Sequence, residues 1–332
     1  MSVEKILTDW KKKSYKPVYW LEGEEDYYIN KAIDYAEHEL LPESEKAFNL
    51  TIFYGKDANW ADVINACRRY PMFAEKQVVL LKEAQQMRDV EKLEAYVENP
   101  LASTILVVSY KEKKLDARKK FAKLLKEKGA LVTTRKIYEK DLPEWIQEHV
   151  QSKGKTITQK ALALLADHTG NDLSRIDNEI DKLLVNMGGR TGITDDDIEK
   201  YIGVSKEYNV FELQTALAAK DLTKAMKIIQ FFDANPKAGP IQLVLPSLYS
   251  FFSRVFMIYG AGTGDEKTIA ANIGVNPFFV RDYLKASKVY SYPEVERILL
   301  LLHQYNLKSV GIGSPYTEDA SLLKEMLVKM VA

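Results

Sequence analysis

The chain has 332 residues, a length sufficient for two or three domains that each have a core. Its 47 Lys and Arg residues balance its 47 Asp and Glu residues, so any contact with nucleic acid or an anionic membrane must be local. The single cysteine, Cys67, excludes an internal disulfide and a cysteine-rich zinc site. No apolar run reaches bilayer length, and the first residues, MSVEKILTDWKKK, lack a signal-peptide core. We therefore expect a soluble, cytoplasmic protein.

The first part of the chain alternates strand patterns with helix patterns. Five short segments have the composition of strands buried on both faces, namely VYWLEG (18–23), FNLTIFYG (48–55), QVVLLK (77–82), STILVVSY (103–110) and ALVTT (130–134). Amphipathic segments separate them, at 26–41, 60–70, 90–99 and 116–129. Buried strands that alternate with helices indicate a parallel sheet covered on both sides, so we assign residues 1–138 to an α/β domain.

After residue 138 we predict helices alone. Four short helical segments form a small helical domain at 139–205, with Thr158 and Thr194 as helix-opening residues and Gly170 and Gly188 as helix-closing ones. From Asn209 onward every segment has a helical pattern, and several segments are apolar nearly all round. Helices of that kind are buried in bundles, which predicts an all-α domain at 206–332.

The turn after the first strand raises the question of nucleotide binding. A P-loop needs glycines for close backbone approach, a lysine for the phosphates and Ser or Thr for magnesium. The segment WLEGEEDYYINKAI has one glycine, Gly23, followed by the acids Glu24, Glu25 and Asp26. Acids in a first helical turn complement the helix dipole but repel a triphosphate. We therefore expect no ATP at this turn.

Other catalytic or metal-binding patterns are missing as well. The third strand ends with Glu83 alone, without an acidic pair to hold Mg²⁺, and we interpret Glu83 as a solvated loop residue. The four histidines are scattered without metal-ligand spacing, and Cys67 lies on the apolar face of its helix. We predict no catalytic residue, no cofactor and no metal.

Two segments are compatible with nucleic-acid binding, but each also has a purely structural interpretation. The segment 111–128 carries nine basic and three acidic residues, which form either a solvated helix face or a phosphate contact. In TIAANIGVNPFFVRDYL, Ala270, Gly274 and Val280 have helix-turn-helix spacing. The second helix of this segment begins with Pro277 and apolar residues, which suit the reading of base edges poorly.

Six motifs together resemble a known family, namely YWLEGEEDYYINKAI, RRYPMFAEKQVVLLKEA, LDARKKFAKLLKEKGALV, TGNDLSRIDNEIDKL, FELQTALAAKDLTKAMKII and IGVNPFFVRDYLKASKVYS. In order and spacing they resemble the delta subunit of the bacterial DNA polymerase III clamp loader, across essentially the whole chain. The cysteine-rich zinc module and Ser-Arg-Cys motif of the related clamp-loader subunits do not occur in the sequence.

The resemblance implies a fold and a function. The first two domains would have an AAA+ (P-loop NTPase-like) fold with a degenerate P-loop and a helical lid, and the last domain would join a collar of subunits. The protein would bind no ATP, and it would bind and open the sliding clamp during DNA replication. Its partners would be the sliding clamp, the ATPase and delta-prime subunits, and primer-template DNA in the assembled complex.

The family's clamp-binding element is an apolar pair after the second helix of the α/β domain. By position and residue type that pair is Met72 and Phe73 here, preceded by Pro71; the family often has Leu where this chain has Met72. In the last domain, Lys308 and Tyr316 are weaker candidates for contact with a DNA backbone and for base stacking.

The sequence around the pair gives a compatible geometry and leaves an alternative open. A proline at 71 predicts the end of the preceding helix, and the short loop to the next strand lies at the amino ends of the strands. Alternatively, the two side chains pack back as a local contact at the helix end. Two other functions also remain, a nucleotide-dependent AAA+ enzyme and a helix-turn-helix DNA-binding regulator.

Overall fold

The computed structural model describes residues 2–138, 140–205, 207–260, 265–313 and 318–331, without the side chain of Phe278. The chain divides into two compact units, Met1–Ile137 and Tyr138–Ala332. The further division of the second unit into a lid at 139–205 and a collar at 206–332 stays a prediction.

The first unit is built on a parallel sheet. Its elements in chain order are α1 (Val3–Lys11), β1 (Val18–Gly23), α2 (Asp26–His38), α3 (Glu43–Asn49), β2 (Leu50–Tyr54), α4 (Trp60–Cys67), β3 (Gln77–Lys82), α5 (Glu94–Val97), β4 (Thr104–Lys111), α6 (Lys120–Lys128) and β5 (Ala130–Thr134). The strand order is β2-β3-β4-β1-β5, and every pair is parallel. The predicted fold class of this part is confirmed.

The sheet is buried on both faces because side chains along a strand alternate between them. In β3, Val79 and Leu81 pack into one apolar core with residues of α4 and α6. Val78 and Leu80 pack into the other, with residues of α1 and α2. Two covered faces account for the unbroken apolar strands of the sequence.

Several predicted boundaries in this unit are wrong by a few residues. The sequence predicts a strand at 48–55, but Phe48 and Asn49 end α3, and β2 begins at Leu50. The helix α4 ends at Cys67 rather than at Pro71. The early end is stabilised from outside the helix, because the side chains of Gln77 and Thr104 donate hydrogen bonds to carbonyl groups that the helix leaves free at its end.

The second unit is mostly helical. Its elements are α7 (Leu142–Ser152), β6 (Thr156–Ile157), α8 (Gln159–Thr169), α9 (Leu173–Asn186), β7 (Gly192–Ile193), α10 (Asp195–Asp197), a π turn (Ile198–Ile202), α11 (Val210–Ala218), α12 (Leu222–Ala234), α13 (Ile241–Gly260), α14 (Glu266–Asn272), α15 (Val280–Val289), α16 (Tyr292–Ser309) and α17 (Asp319–Val331). The expectation of helices alone is wrong at β6 and β7. These form a two-stranded parallel sheet, too short for a periodic signal.

Helix α13 is long and apolar enough to cross a membrane by length and composition, the one such helix in the described part of the chain. This corrects the expectation that no apolar stretch reaches bilayer length. The side chains of Val244, Leu248 and Phe252 are buried in the apolar core of the second unit. Because core helices of globular proteins share this composition, α13 is weak evidence for a membrane span.

An ion-pair group joins α7 to α9. The Nε2 atom of His149 lies 2.6 Å from Oδ1 of Asp177, and the Lys153 ammonium lies 2.8 Å from the same oxygen. Burial raises the pKa of the Asp177 carboxyl, but the hydrogen bonds from His149 and Lys153 outweigh it, so the net pKa is lowered. The group stabilises the packing of two helices that are separated in sequence by β6 and α8.

We predict that Asp177→Asn lowers the free energy of unfolding by about 2 kcal/mol at neutral pH, because it removes a charged hydrogen-bond acceptor. The folded-state pKa lies below the unfolded one, so this stabilisation is present above the unfolded pKa and is lost as pH falls through the folded pKa. Urea unfolding at pH 7 and pH 3 measures both parts of the effect. Asp181→Asn, on the more exposed partner of Lys153, is the control and should have less than about 1 kcal/mol of effect. An equal loss in both variants at pH 7 would contradict the prediction.

Candidate partner-binding loop and the turn after the first strand

The loop of residues 68–76 lies at one edge of the sheet. It connects the end of α4 to the first residue of β3, so it lies at the amino ends of the parallel strands. Gly23 ends β1 and therefore lies at the opposite, carboxyl edge, where α/β proteins usually bind small ligands. The loop is thus separated from the conventional ligand edge by the length of a strand.

Large apolar side chains are exposed on this loop. Phe73 is 98% exposed and Met72 is 51% exposed, while Pro71 is partly buried. Tyr70 in the same loop and Phe48 at the end of α3 are also exposed. Exposure of the pair argues against the alternative that both side chains pack back onto the helix end, and their role in binding a partner stays a prediction.

Phe73 also has an unfavourable backbone conformation. Its φ angle is +54°, in the left-handed region, which costs a residue with a bulky side chain about 1–2 kcal/mol. The exposed ring gains little burial in return. Strain of this kind persists only where the surrounding structure imposes it, and it is concentrated at functional sites.

Asn49 holds the main chain of this loop. Its side-chain amide accepts a hydrogen bond from the Met72 N–H at 2.7 Å and donates one to the Met72 carbonyl oxygen at 2.9 Å. The Asn49 side chain is buried. The sequence analysis missed this residue because FNLTIFYG was interpreted as one strand. Asparagine is unfavourable within a strand, and that was the available signal.

At the carboxyl edge, the turn after β1 uses its own backbone groups. The Gly23 N–H donates to the Lys113 carbonyl, the Glu24 N–H to the Thr134 carbonyl, and the Glu25 N–H to the Thr134 hydroxyl. The Glu25 carboxylate then accepts from the N–H of Tyr27 in the first turn of α2. A P-loop offers such N–H groups to phosphate, whereas here they already have protein acceptors.

The acidic residues of β1 and of the turn after it place carboxyl groups, some of them buried, near the N-terminus of α2. Glu24 pairs with Lys114 at 2.8 Å, and buried Glu22 accepts hydrogen bonds from Trp20 and from the Leu115 N–H. Burial raises the pKa of the Asp26 carboxyl, whose Oδ1 atom is buried without a hydrogen-bond partner. The arrangement disfavours a triphosphate at the N-terminus of α2.

Glu83 is not the solvated loop residue that the sequence suggested. Its carboxylate pairs with Lys111 at 2.7 Å and accepts a hydrogen bond from Gln85. The hydrogen bond from Lys111 lowers the pKa of Glu83. The sequence could not give this pairing because the two residues meet only through the β3–β4 neighbourhood. Within the described ranges, no group of three His, Cys, Asp or Glu residues is placed to hold a metal ion.

Five of the nine basic side chains of the segment 111–128 form ion pairs within the first unit. These pairs are Lys111–Glu83, Lys114–Glu24, Arg118–Asp116, Lys119–Glu91 and Lys120–Glu94. Phe121 and Leu125 form the buried side of α6. The pairs reduce the charge available to phosphate, but only the pair of Lys120 lies on α6 itself, so both interpretations of this segment stay open.

The candidates in the second unit have mixed outcomes. Ala270 and Val280 pack together in a small apolar cluster, and Gly274 between them has a φ of +69°. Lys308 lies near the end of α16, with its ammonium 4.6 Å from the centre of the Tyr305 ring. Tyr316 lies outside the described residues.

In the first unit, a parallel α/β sheet, the N–H groups of the turn after β1 donate to the Lys113 and Thr134 carbonyls and to the Thr134 hydroxyl. The class of protein is therefore an α/β fold whose first turn is engaged by the chain itself, followed by helical segments. Comparison with known proteins narrows this class. The family model for the DNA polymerase III delta subunit matches residues 19–135. The chain is 26% identical over 314 residues to DNA polymerase III subunit delta of Bacillus subtilis, covering 90% of both chains. It is also 23% identical to a probable DNA polymerase III subunit delta of Aquifex aeolicus, and the match covers 93% of this chain and 90% of the relative.

A solved structure agrees with these sequence matches. The DNA clamp loader delta protein of Bacillus subtilis superimposes with a TM-score of 0.59 at 25% identity, covering 99% of both chains. Over nearly its whole length the chain is thus similar to bacterial DNA polymerase III delta subunits, and the family model matches residues of its first unit.

Proposed function

We propose that this clamp-loader delta subunit binds the sliding clamp through Met72 and Phe73 and opens it without hydrolysing ATP. The observation that carries the proposal is the exposed, strained Phe73 beside Met72, on a loop remote from the ligand edge of the sheet. Pro71 stiffens the segment that leads to the pair by fixing its own φ angle. The clamp would supply an apolar pocket for both side chains.

The free energy available from burying Met72 and Phe73 is of the size expected for a contact with a partner. Burying a large apolar side chain contributes about 1.5–3 kcal/mol, so the pair contributes about 3–6 kcal/mol before the costs of association. Anchors of this size are typical interface hot spots. The same free energy can offset part of the work of loosening one interface of a closed ring.

The proposed partners extend beyond the clamp. Similarity to delta subunits supports assembly with the ATPase and delta-prime subunits in the cytoplasm, with residues 206–332 in the collar and primer-template DNA bound by the complex. Lys308 remains a candidate for a backbone contact with that DNA, and Tyr316 one for base stacking. Regulation would come from the ATPase subunits, which expose or cover the pair when they bind ATP.

A pull-down tests the proposal directly. The purified chain should retain the sliding clamp of its own source in the absence of any nucleotide. Retention that requires Mg-ATP bound by this chain would instead support a nucleotide-dependent enzyme. A chain that ignores the clamp but binds duplex DNA alone, with a steep salt dependence, would support a helix-turn-helix regulator.

We predict that the isolated chain shows no measurable heat of binding with Mg-ATP in isothermal titration calorimetry. The N–H groups of the turn at Gly23–Glu25 are engaged by Lys113 and Thr134, and the acids of that turn repel phosphate. A matched titration with Glu24→Gln and Asp26→Asn should also give no binding, because the backbone donors stay occupied. Saturable binding by the unmodified chain would overturn the proposal that it works without ATP.

A further inference from the structure

Three buried polar residues stand at the amino edge of adjacent strands. Gln77 and Thr104 are the first residues of β3 and β4 and face each other in the sheet register. Asn49 directly precedes β2, and the pairing of Leu50 with Val78 places Asn49 beside Gln77. All three side chains are buried, at the amino ends of strands whose middle residues are apolar. Burial of polar groups is costly unless hydrogen bonds compensate for it.

Asn49, Gln77 and Thr104 form an amino-edge row. Each of them makes a hydrogen bond to the main chain of residues 67–72, the segment that leads to Phe73. The Thr104 hydroxyl donates to the Cys67 carbonyl at 2.8 Å, and the Gln77 amide donates to the Arg69 carbonyl and to the Thr104 hydroxyl. Asn49 makes both of its bonds to the main chain of Met72. The row therefore fixes the main chain at successive points, the last of them adjacent to Phe73.

The Asn49 side chain binds both polar groups of one main-chain residue. A side-chain amide carries one acceptor and one donor, and in Asn49 the two engage the N–H and the carbonyl of a single residue, Met72. With the main chain of Met72 held, Phe73 is the next residue and is in the left-handed region. A free chain would rarely populate that conformation with a phenylalanine.

We propose that Asn49 is a positioning residue for partner binding, which pre-organises Met72 and Phe73 by holding the Met72 main chain. The inference rests on the proposed function, because the pair must be the element that docks. Holding a loop in its bound conformation raises affinity, since the ordering cost is met during folding rather than during association. The hydrogen bonds of the row thus order the loop when the chain folds, so less ordering is needed when the partner binds.

The test measures clamp affinity, thermal unfolding and loop mobility in the full chain. Asn49→Ala should weaken clamp binding about 10-fold while leaving the melting temperature nearly unchanged, because the Met72 polar groups can reach water at the surface. A nitroxide on Phe73→Cys should report faster motion when Asn49→Ala is added, whereas buried Cys67 is protected from labelling. Asn49→Asp keeps the acceptor for the Met72 N–H but loses the donor to the Met72 carbonyl. Its clamp affinity should lie between that of the unmodified chain and that of Asn49→Ala.

The matched control is Asn59→Ala, which removes an exposed asparagine whose side chain caps α4 by accepting a hydrogen bond from the Asp62 N–H. It should lower stability without changing clamp affinity. Normal affinity of both Asn49 variants, together with lost affinity in Phe73→Ala, would overturn this inference and leave the proposed function standing. Normal affinity of Phe73→Ala would overturn both. A loss of affinity that only follows the unfolded fraction would assign Asn49 to folding alone.

Discussion

Replacing Phe73 with alanine is expected to abolish detectable clamp binding at micromolar concentration while the fold remains intact. The ring is 98% exposed, so its removal leaves no cavity in the chain itself. At the partner, loss of a hot-spot anchor costs at least about 2 kcal/mol, or roughly 30-fold in affinity. Isothermal titration calorimetry with the sliding clamp, paired with thermal unfolding, measures the two effects separately.

Companion variants make this prediction sharper. Met72→Ala should also lose binding, whereas Val185→Ala, on another highly exposed apolar residue in the second unit, should bind normally. Phe73→Asn should lose binding yet melt no lower than the unmodified chain, because asparagine tolerates the left-handed conformation that phenylalanine resists. A large drop in melting temperature with clamp affinity retained would show that the pair stabilises the fold instead.

The second large effect is expected at Gly23, where alanine should destabilise the first unit by about 3 kcal/mol or more. Gly23 has a φ of +127°, and an added Cβ atom would lie 2.2 Å from the carbonyl oxygen of Thr134. That oxygen belongs to the main chain of β5, so the overlap can be relieved only by moving a strand of the sheet. Urea unfolding and the yield of soluble protein measure the loss.

Gly154→Ala is the matched control for the backbone effect. Gly154 has a φ of +72°, but nothing lies within 4 Å of an added Cβ atom. Its substitution should cost only about 1 kcal/mol, from the backbone conformation alone. Equal losses at the two positions would show that the close approach of Thr134 is not what restricts Gly23 to glycine.

The strand pattern was the most predictable part of the fold. β1, β3 and β5 have the bounds that the sequence indicates, because apolar runs flanked by polar residues mark strands buried on both faces. The second strand was placed two residues early, since Phe48 has strand propensity although it ends α3. The pair β6 and β7 was missed because two residues cannot establish a period.

The candidate site was predictable only in part. Met72 and Phe73 are candidates because of the order of motifs around them, not because of any periodic pattern. The role of Asn49 was out of reach because its two hydrogen bonds join residues 23 positions apart in the chain. The same limit applies to Glu83 with Lys111 and to His149 with Asp177, since propensity and spacing describe neighbours along the chain rather than across a fold.

The central claim is that the pair opens the clamp without nucleotide bound to this chain. The most direct measurement places a fluorophore pair across one interface of the closed sliding clamp and follows their separation as the isolated chain is added without ATP. The account predicts that the unmodified chain increases the separation and that Phe73→Ala leaves the ring closed. A ring that stays closed while the unmodified chain is bound, or that opens equally with Phe73→Ala, would contradict the account.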